Sequence, residues 1–169
     1  MKRILLNITV IIFLVINFSC SIYSFRGNNP PEGIKTIFVP LFDDVSGFSE
    51  ANLKENFTES LKSKIISDNT FLITDKTKAD GLLTCTISAV KDDPLVISGN
   101  ENVTKRKITI TVKVNFQNLK KQKQIWDRTY ENWGDYNSSG NTFSERETGV
   151  LTAMNKICED ILNDITSNW

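Results

Sequence analysis

Lys107-Ile108-Thr109-Ile110-Thr111-Val112-Lys113-Val114-Asn115-Phe116-Gln117 is the stretch on which the fold turns. Successive side chains of a strand point to opposite faces, so its five apolar residues, four of them β-branched, share one face. The other face carries Lys, Thr, Asn and Gln, which describes a long, half-buried strand. Upstream, Leu83, Cys85, Ile87 and Ala89 alternate with Thr84, Thr86 and Ser88 and predict a second strand of the same kind. Asp93-Pro94 and Ser98-Gly99-Asn100 lie between the two as turn chemistry. Downstream, Lys120 to Lys123 is a polar hairpin turn, and a third strand begins near Ile125 with Trp126 and Tyr130 on one face. Trp133 has the opposite parity: either the aromatics face both ways, or a bulge near Asn132 resets the register.

Two helices flank these strands. Leu53, Phe57, Leu61 and Ile65 recur every four residues among Lys and Glu, with Ser49 as N-cap and Glu50 in the first turn. Near the C-terminus, Thr142-x-x-Glu145 matches a capping box. Val150, Met154, Ile157, Ile161 and Ile165 then form an inward face, widened by Leu151, Cys158 and Leu162. Ile34 to Leu41, with Ile37 and Val39 on one face, is a short first strand that Pro40 ends. Asp43 to Gly47 is a turn, and Phe71-Leu72-Ile73 a brief extended piece. The order is β-α-β-β-β-α. A sheet with alternating faces buries one side only, so both helices belong on that side. The expected fold class is α+β: a two-layer sandwich with two helices on one face of a mixed four-stranded sheet. The first strand and Leu83–Ala89 are parallel and the later pairs antiparallel.

Ahead of this domain, Met1-Lys2-Arg3 precedes an apolar run from Ile4 to Phe18 that is shorter than the roughly 18 to 20 residues a spanning helix needs. A basic start before a short apolar run is the pattern of a secretory signal. Its end, Asn17-Phe18-Ser19-Cys20, resembles the lipobox of bacterial lipoproteins, which implies cleavage after Ser19 and lipidation of Cys20. Ordinary signal-peptidase cleavage, with Cys20 a bystander, is the alternative. Residues 1–19 are thus a signal peptide, 20–33 a Gly/Pro/Asn-rich tether, and 34–169 the folded domain. Acyl chains would anchor the protein to a membrane, since each buried CH₂ contributes about 0.8 kcal/mol. By the same resemblance Ser21, in place of an inner-membrane Asp, implies outer-membrane delivery, and the acid-free segment after Cys20 implies the periplasmic leaflet.

Composition narrows the chemistry. The 169 residues contain no His and balance 20 Lys and Arg against 20 Asp and Glu. Without His, Ser-His-Asp and Cys-His nucleophiles and imidazole metal sites are impossible. A net charge of zero argues against a nucleic-acid binder. The acids Asp43 and Asp44 are neighbours on an extended segment and point apart, which suits neither shared acid–base work nor a cation site. No catalytic residue, metal site or cofactor is expected. Cys85 and Cys158 sit at apolar positions and read as small buried hydrophobes, although an oxidising compartment permits a disulfide between them. Lys105-Arg106-Lys107 and Lys120-Lys121-Lys123 are basic clusters that can engage phosphate oxygens. Charged strand ends and hairpin tips are more often solvated, or serve to block edge pairing. Trp126, Trp133 and Trp169 are read first as packing residues, with sugar stacking as the other use of an indole.

The chain resembles the LptE family of outer-membrane lipopolysaccharide-assembly lipoproteins. The likeness is carried by Cys20-Ser21-Ile22-Tyr23-Ser24-Phe25, Ile34-Lys35-Thr36-Ile37 and Asn56-Phe57-Thr58-Glu59-Ser60-Leu61. It continues through Gly99-Asn100-Glu101, the Thr-rich strand Ile108 to Phe116, Asp135-Tyr136-x-Ser138-Ser139 and Ser167-Asn168-Trp169. The resemblance implies a non-enzymatic plug that sits within and below an LptD-type β-barrel, supports its assembly and helps lipopolysaccharide reach the outer leaflet. No local motif transfers the family's lipopolysaccharide contacts to positions of this chain. On the residues alone, Lys105, Arg106, Lys107, Lys120, Lys121 and Lys123 are the candidate lipopolysaccharide ligands. The segment Lys35 to Asp44, followed by a helix, also resembles TolB N-terminal and CsgG modules, which implies a secretion or envelope-integrity assembly instead. A hydrolase is disfavoured because acid–base candidates are so sparse.

Overall fold

A computed structural model describes residues 30–97, 103–138 and 142–167. The signal segment, Cys20, most of the tether, the Ser98-Gly99-Asn100 turn, Ser139 to Asn141 and Trp169 lie outside the described residues, as does the side chain of Thr142 and with it the capping box. The elements are β1 (Thr36–Phe38), β2 (Asp43–Asp44), α1 (Leu53–Asp68), β3 (Leu72–Ile73), β4 (Gly81–Ile97), β5 (Val103–Asn118), β6 (Lys123–Asn137) and α2 (Thr142–Thr166).

The fold is α+β with a mixed sheet, but the sheet has six strands, not four. Its order is β3-β1-β4-β5-β6, with β2 paired to β4 beyond the end of β1. β1 runs parallel to β3 and β4, and β2 runs parallel to β4. The β4–β5 and β5–β6 pairs are antiparallel, as their short connections require. The two extra strands are Asp43–Asp44, expected as turn, and Leu72–Ile73, expected as a brief extended piece. Two-residue strands carry no periodicity of their own; the backbone groups of β4 and β1 create them.

The core lies between one sheet face and both helices. Ile108, Ile110, Val112, Val114 and Phe116 of β5 are fully buried and join one cluster with Leu53, Phe57, Leu61 and Ile65 of α1. Val150, Met154, Ile157, Cys158, Ile161 and Ile165 of α2 enter the same cluster, so both helices cover the same side. Leu151 departs from expectation and faces outward. α1 begins at Leu53 after Asn52, whose φ is 56°, so Ser49 is not its cap and Glu50 is not in its first turn. Glu50 instead pairs with Arg146 of α2 at 2.9 Å, which ties the loop before α1 to the second helix.

β4 is longer than its alternation suggested. A register shift between Ile87 and Ala89 turns Ala89 off the core face and brings Val90 onto it. The strand continues through Asp93-Pro94 to Ile97, opposite Arg106 and Val103. Pro94 is tolerated because this half of β4 pairs with β5 alone among the described residues, so no neighbour awaits the missing N–H. In β6 the irregularity lies near Ile125, opposite the Phe116–Gln117 step, and not near Asn132. Trp126 and Tyr130 therefore pack toward the core side while Trp133 faces the other way. Where α2 crosses β6 the backbones nearly touch. A Cβ on Gly134 would lie 2.2 Å from the carbonyl oxygen of Gly149, so only glycine fits.

Candidate functional site

The outer sheet face is built from the alternate residues of β4, β5 and β6. Thr84 and Lys113 are exposed there, and Thr86, Ser88, Thr109, Thr111 and Asn115 are half-buried by their neighbours. No other described element covers this face. Its side chains bond laterally. Thr111 donates its hydroxyl to Glu131 at 3.1 Å, and Asn115 donates its amide to Gln124 at 2.9 Å and Asp127 at 3.1 Å. Ser88 donates to the Thr111 carbonyl at 3.2 Å. The face thus offers hydroxyls, amides and paired charges held in register by the sheet beneath. Such a surface can exchange hydrogen bonds with a partner.

The first basic cluster does not form a single patch. Arg106 shares the core-side parity of Ile108 and donates its Nε to Asp92 at 2.8 Å, while Tyr136 donates its hydroxyl to the same carboxylate at 2.8 Å. That pairing raises the Arg106 pKa above its ordinary value. Burial pushes the Tyr136 phenol up, and the Asp92 contact adds to it. Lys105 and Lys107 have the opposite parity and stand on the outer face. Lys105 pairs with Asp135 at 3.1 Å and lowers its pKa. The second cluster is at the other end of the β5–β6 hairpin, about 40 Å away at the usual rise per strand residue. There Lys120 pairs with Asp80, the backbone N–H of Lys121 donates to Asn118 at 2.9 Å, and Lys123 is exposed. The two clusters are separate surfaces.

Asp44 serves its own turn, while Asp43 is exposed. Asp44 accepts from the Ser46 N–H at 2.9 Å and hydroxyl at 2.7 Å, a turn closed by its own side chain. Among the described residues no group of three metal-ligating side chains exists, and no helix is long and apolar enough to cross a membrane. Cys85 and Cys158 are both buried and free. Burial pushes the Cys158 thiol up to about 11 and that of Cys85 higher still.

Sequence reasoning missed three arrangements. Asp80 accepts the backbone N–H groups of Lys35 at 2.9 Å and Thr36 at 3.1 Å and pins the start of β1. On the core side of β6, Asp164 of α2 accepts from Arg128 and from the Tyr130 hydroxyl, both at 2.6 Å, and Asp160 accepts from Asn132 at 2.7 Å. On the outer side, Trp133 stands exposed between two lysines, one of them Lys156 of α2. No linear motif links these partners; only the polar residues alternating along β6 hinted that its two faces do different work.

The domain is a two-layer α+β sandwich with one face sealed by both helices and the other, among the described residues, open and polar. The same fold occurs in a protein of Xanthomonas campestris, at 10% identity and a TM-score of 0.60, covering 82% of this chain and 89% of that one. Rare lipoprotein B of Shewanella oneidensis shares it at 15% identity and a TM-score of 0.52, over 78% of this chain and 93% of that one. So does the PelC dodecamer chain of Paraburkholderia phytofirmans, at 9% identity and a TM-score of 0.55, over 85% and 95%. Comparison with curated proteins finds no match. The model of the LptE family, lipopolysaccharide-assembly, matches residues 34–165, and the chain belongs to that family.

Proposed function

We propose that this chain is a non-enzymatic outer-membrane lipoprotein that seats itself in an LptD-type β-barrel and assists lipopolysaccharide transport to the outer leaflet. The family match over residues 34–165 carries the reading. In it, Cys20 holds the lipid after removal of residues 1–19, and the domain faces the periplasm. The open sheet face docks against the polar lumen of the barrel, where its hydroxyl and amide rows supply many modest hydrogen bonds. Lipopolysaccharide is the second ligand, with Lys105, Lys107 and the hairpin lysines Lys120, Lys121 and Lys123 available to its phosphates; Arg106 is committed to Asp92.

Purification of the full chain from native membranes in mild detergent tests this. A large barrel protein that co-migrates in fixed ratio supports it. A second reading, a ring-forming envelope module of the secretion kind, draws on the likeness to PelC, whose chains form a dodecamer. A homo-oligomer without a barrel protein would replace the first reading with the second.

A further inference from the structure

We propose that the end of the domain where the chain enters the fold is a docking surface for anionic phospholipid headgroups of the leaflet that holds the lipid anchor. Asp80 organises this end. Its carboxylate accepts the N–H groups of Lys35 and Thr36 and pairs with Lys120, and its carbonyl accepts the Leu119 N–H at 2.7 Å. The Thr36 hydroxyl donates to the Lys78 carbonyl at 3.3 Å. These bonds join three segments distant in sequence: the entry to β1, the turn before β4 and the β5–β6 hairpin. They carry Lys35, Lys76, Lys78, Lys120, Lys121 and Lys123, all exposed. The carboxylates near them are Glu32, Asp68, Asp75 and Asp80. With Lys120 and Asp80 paired to each other, five lysines remain against three carboxylates, and none of the five makes an ion pair among the described residues. The opposite end differs. There Lys105 pairs with Asp135, Arg106 with Asp92 and Arg146 with Glu50, and Lys107 has Asp93 and Asp135 as its cross-strand partners.

Position selects the occupant. In a chain cut after Ser19 only residues 20–29 precede Pro30, and ten residues span at most about 35 Å. A lipid on Cys20 therefore keeps this end near the leaflet, while Lys105 and Lys107 sit about 40 Å further along the sheet. Leu72 adds an apolar contact. It is 63% exposed on β3, in register with Thr36, whose hydroxyl meets Lys78, while its neighbour Ile73 packs inward. Lysines around an exposed leucine suit the boundary between headgroups and acyl chains. Each lysine close to an anionic leaflet strengthens binding roughly fivefold. The surface rests on the lipid anchor of the function proposed above and fixes which end of the domain lies on the membrane. It leaves the outer face of β4, β5 and β6 to the barrel.

The full chain, purified from membranes, is reconstituted into phosphatidylcholine vesicles with or without about 30% phosphatidylglycerol. A membrane-impermeant amine reagent labels the exposed lysines, and mass spectrometry reads each one relative to Lys113 in the middle of the sheet. Labelling of Lys35, Lys78 and Lys121 is expected to fall about fivefold with phosphatidylglycerol and to recover in about 1 M salt. Labelling of Lys105 and Lys107 should not change. K78Q/K121Q/K123Q should abolish the protection of Lys35, L72S should weaken it, and K105Q/K107Q should keep it. Should the triple variant melt early, the salt series on the unaltered chain reads the same contact. Equal labelling with and without phosphatidylglycerol overturns the surface, whatever the state of Cys20. Protection of Lys105 and Lys107 in place of Lys35 and Lys78 overturns it as well, since the other end then faces the membrane. The intact mass of the same sample reports the anchor. An unmodified Cys20 together with phosphatidylglycerol-dependent protection overturns the anchor and supports the surface.

Discussion

Asp80 shows how much one side chain can hold. Its carboxylate takes the ammonium of Lys120 and the N–H groups of Lys35 and Thr36, so it joins the start of β1 to the β5–β6 hairpin. The Lys120 bond first, then the backbone donors, keep its pKa well below the usual carboxylate range. A carboxyl with a folded pKa below its unfolded value of about 3.9 stabilises the fold above that pH. The contribution fades as the pH falls below about 4 toward the folded pKa. Asp80→Asn should therefore cost about 2 kcal/mol at pH 7 and progressively less in acid, as urea titrations across that range would show. Arg106→Ser should cost about 1–2 kcal/mol because it takes the guanidinium from Asp92 and leaves that part-buried carboxylate to the Tyr136 hydroxyl, whereas Lys105→Ser with Lys107→Ser should stay within about 0.5 kcal/mol. Thermal melts of the two variants separate a structural cation from surface ones. Cys85 and Cys158 should resist alkylation at pH 8 until the protein is denatured, since buried thiols with raised pKa values present almost no thiolate. Rapid labelling of either in the native chain would contradict their burial. At this scale the residues flagged for their charge were visible in the sequence, but their partners were not. Asp92 lies 14 positions from Arg106, Asp80 lies 40 from Lys120 and Lys156 lies 23 from Trp133, and no spacing rule reaches across such gaps.

The long elements were legible because period and length agree in them. The five buried residues of β5 and the four of α1 fall where alternation and four-residue spacing placed them. What escaped was whatever depends on a neighbour. The bulge in β4 exchanges Ala89 for Val90, and Pro94, a stop signal in isolation, continues a strand whose far edge is open among the described residues. β2 and β3 exist only as complements to β4 and β1. Gly134 is a similar case: in the sequence it weakens a strand, and in the fold it lets α2 settle against β6. Gly134→Ala should cost at least about 2–3 kcal/mol, because the methyl meets backbone and not a side chain that can swing aside. Gly149→Ala, whose new Cβ would meet Tyr136 at 3.3 Å, should cost less. Chemical denaturation of the pair would rank them, and equal losses would remove the close-approach argument.

At the scale of the molecule the sheet has two halves of different character. β4, β5, β6 and α2 follow one another along residues 81–166 and pair almost wholly with sequence neighbours. β1 and β2 come first in the chain yet pair with β4, and among the described residues β3 pairs with β1 alone. The same pairing order bears on the outer sheet face. Its Thr rows on β4 and β5 were plain in the alternation, while β6 added acids and an indole that only the register could assign. The pairing order has a consequence in time. A chain emerging from its N-terminus first delivers three short strands and a helix with little to lean on, and β4, to which β1 and β2 pair, arrives only from residue 81 onward. Closing such distant pairs is slow compared with zipping a hairpin. The late-made portion should therefore fold first and then recruit the early-made one. Until then, the leading half remains as pliable thread, the state best suited to passing through a narrow opening before the molecule takes its final form.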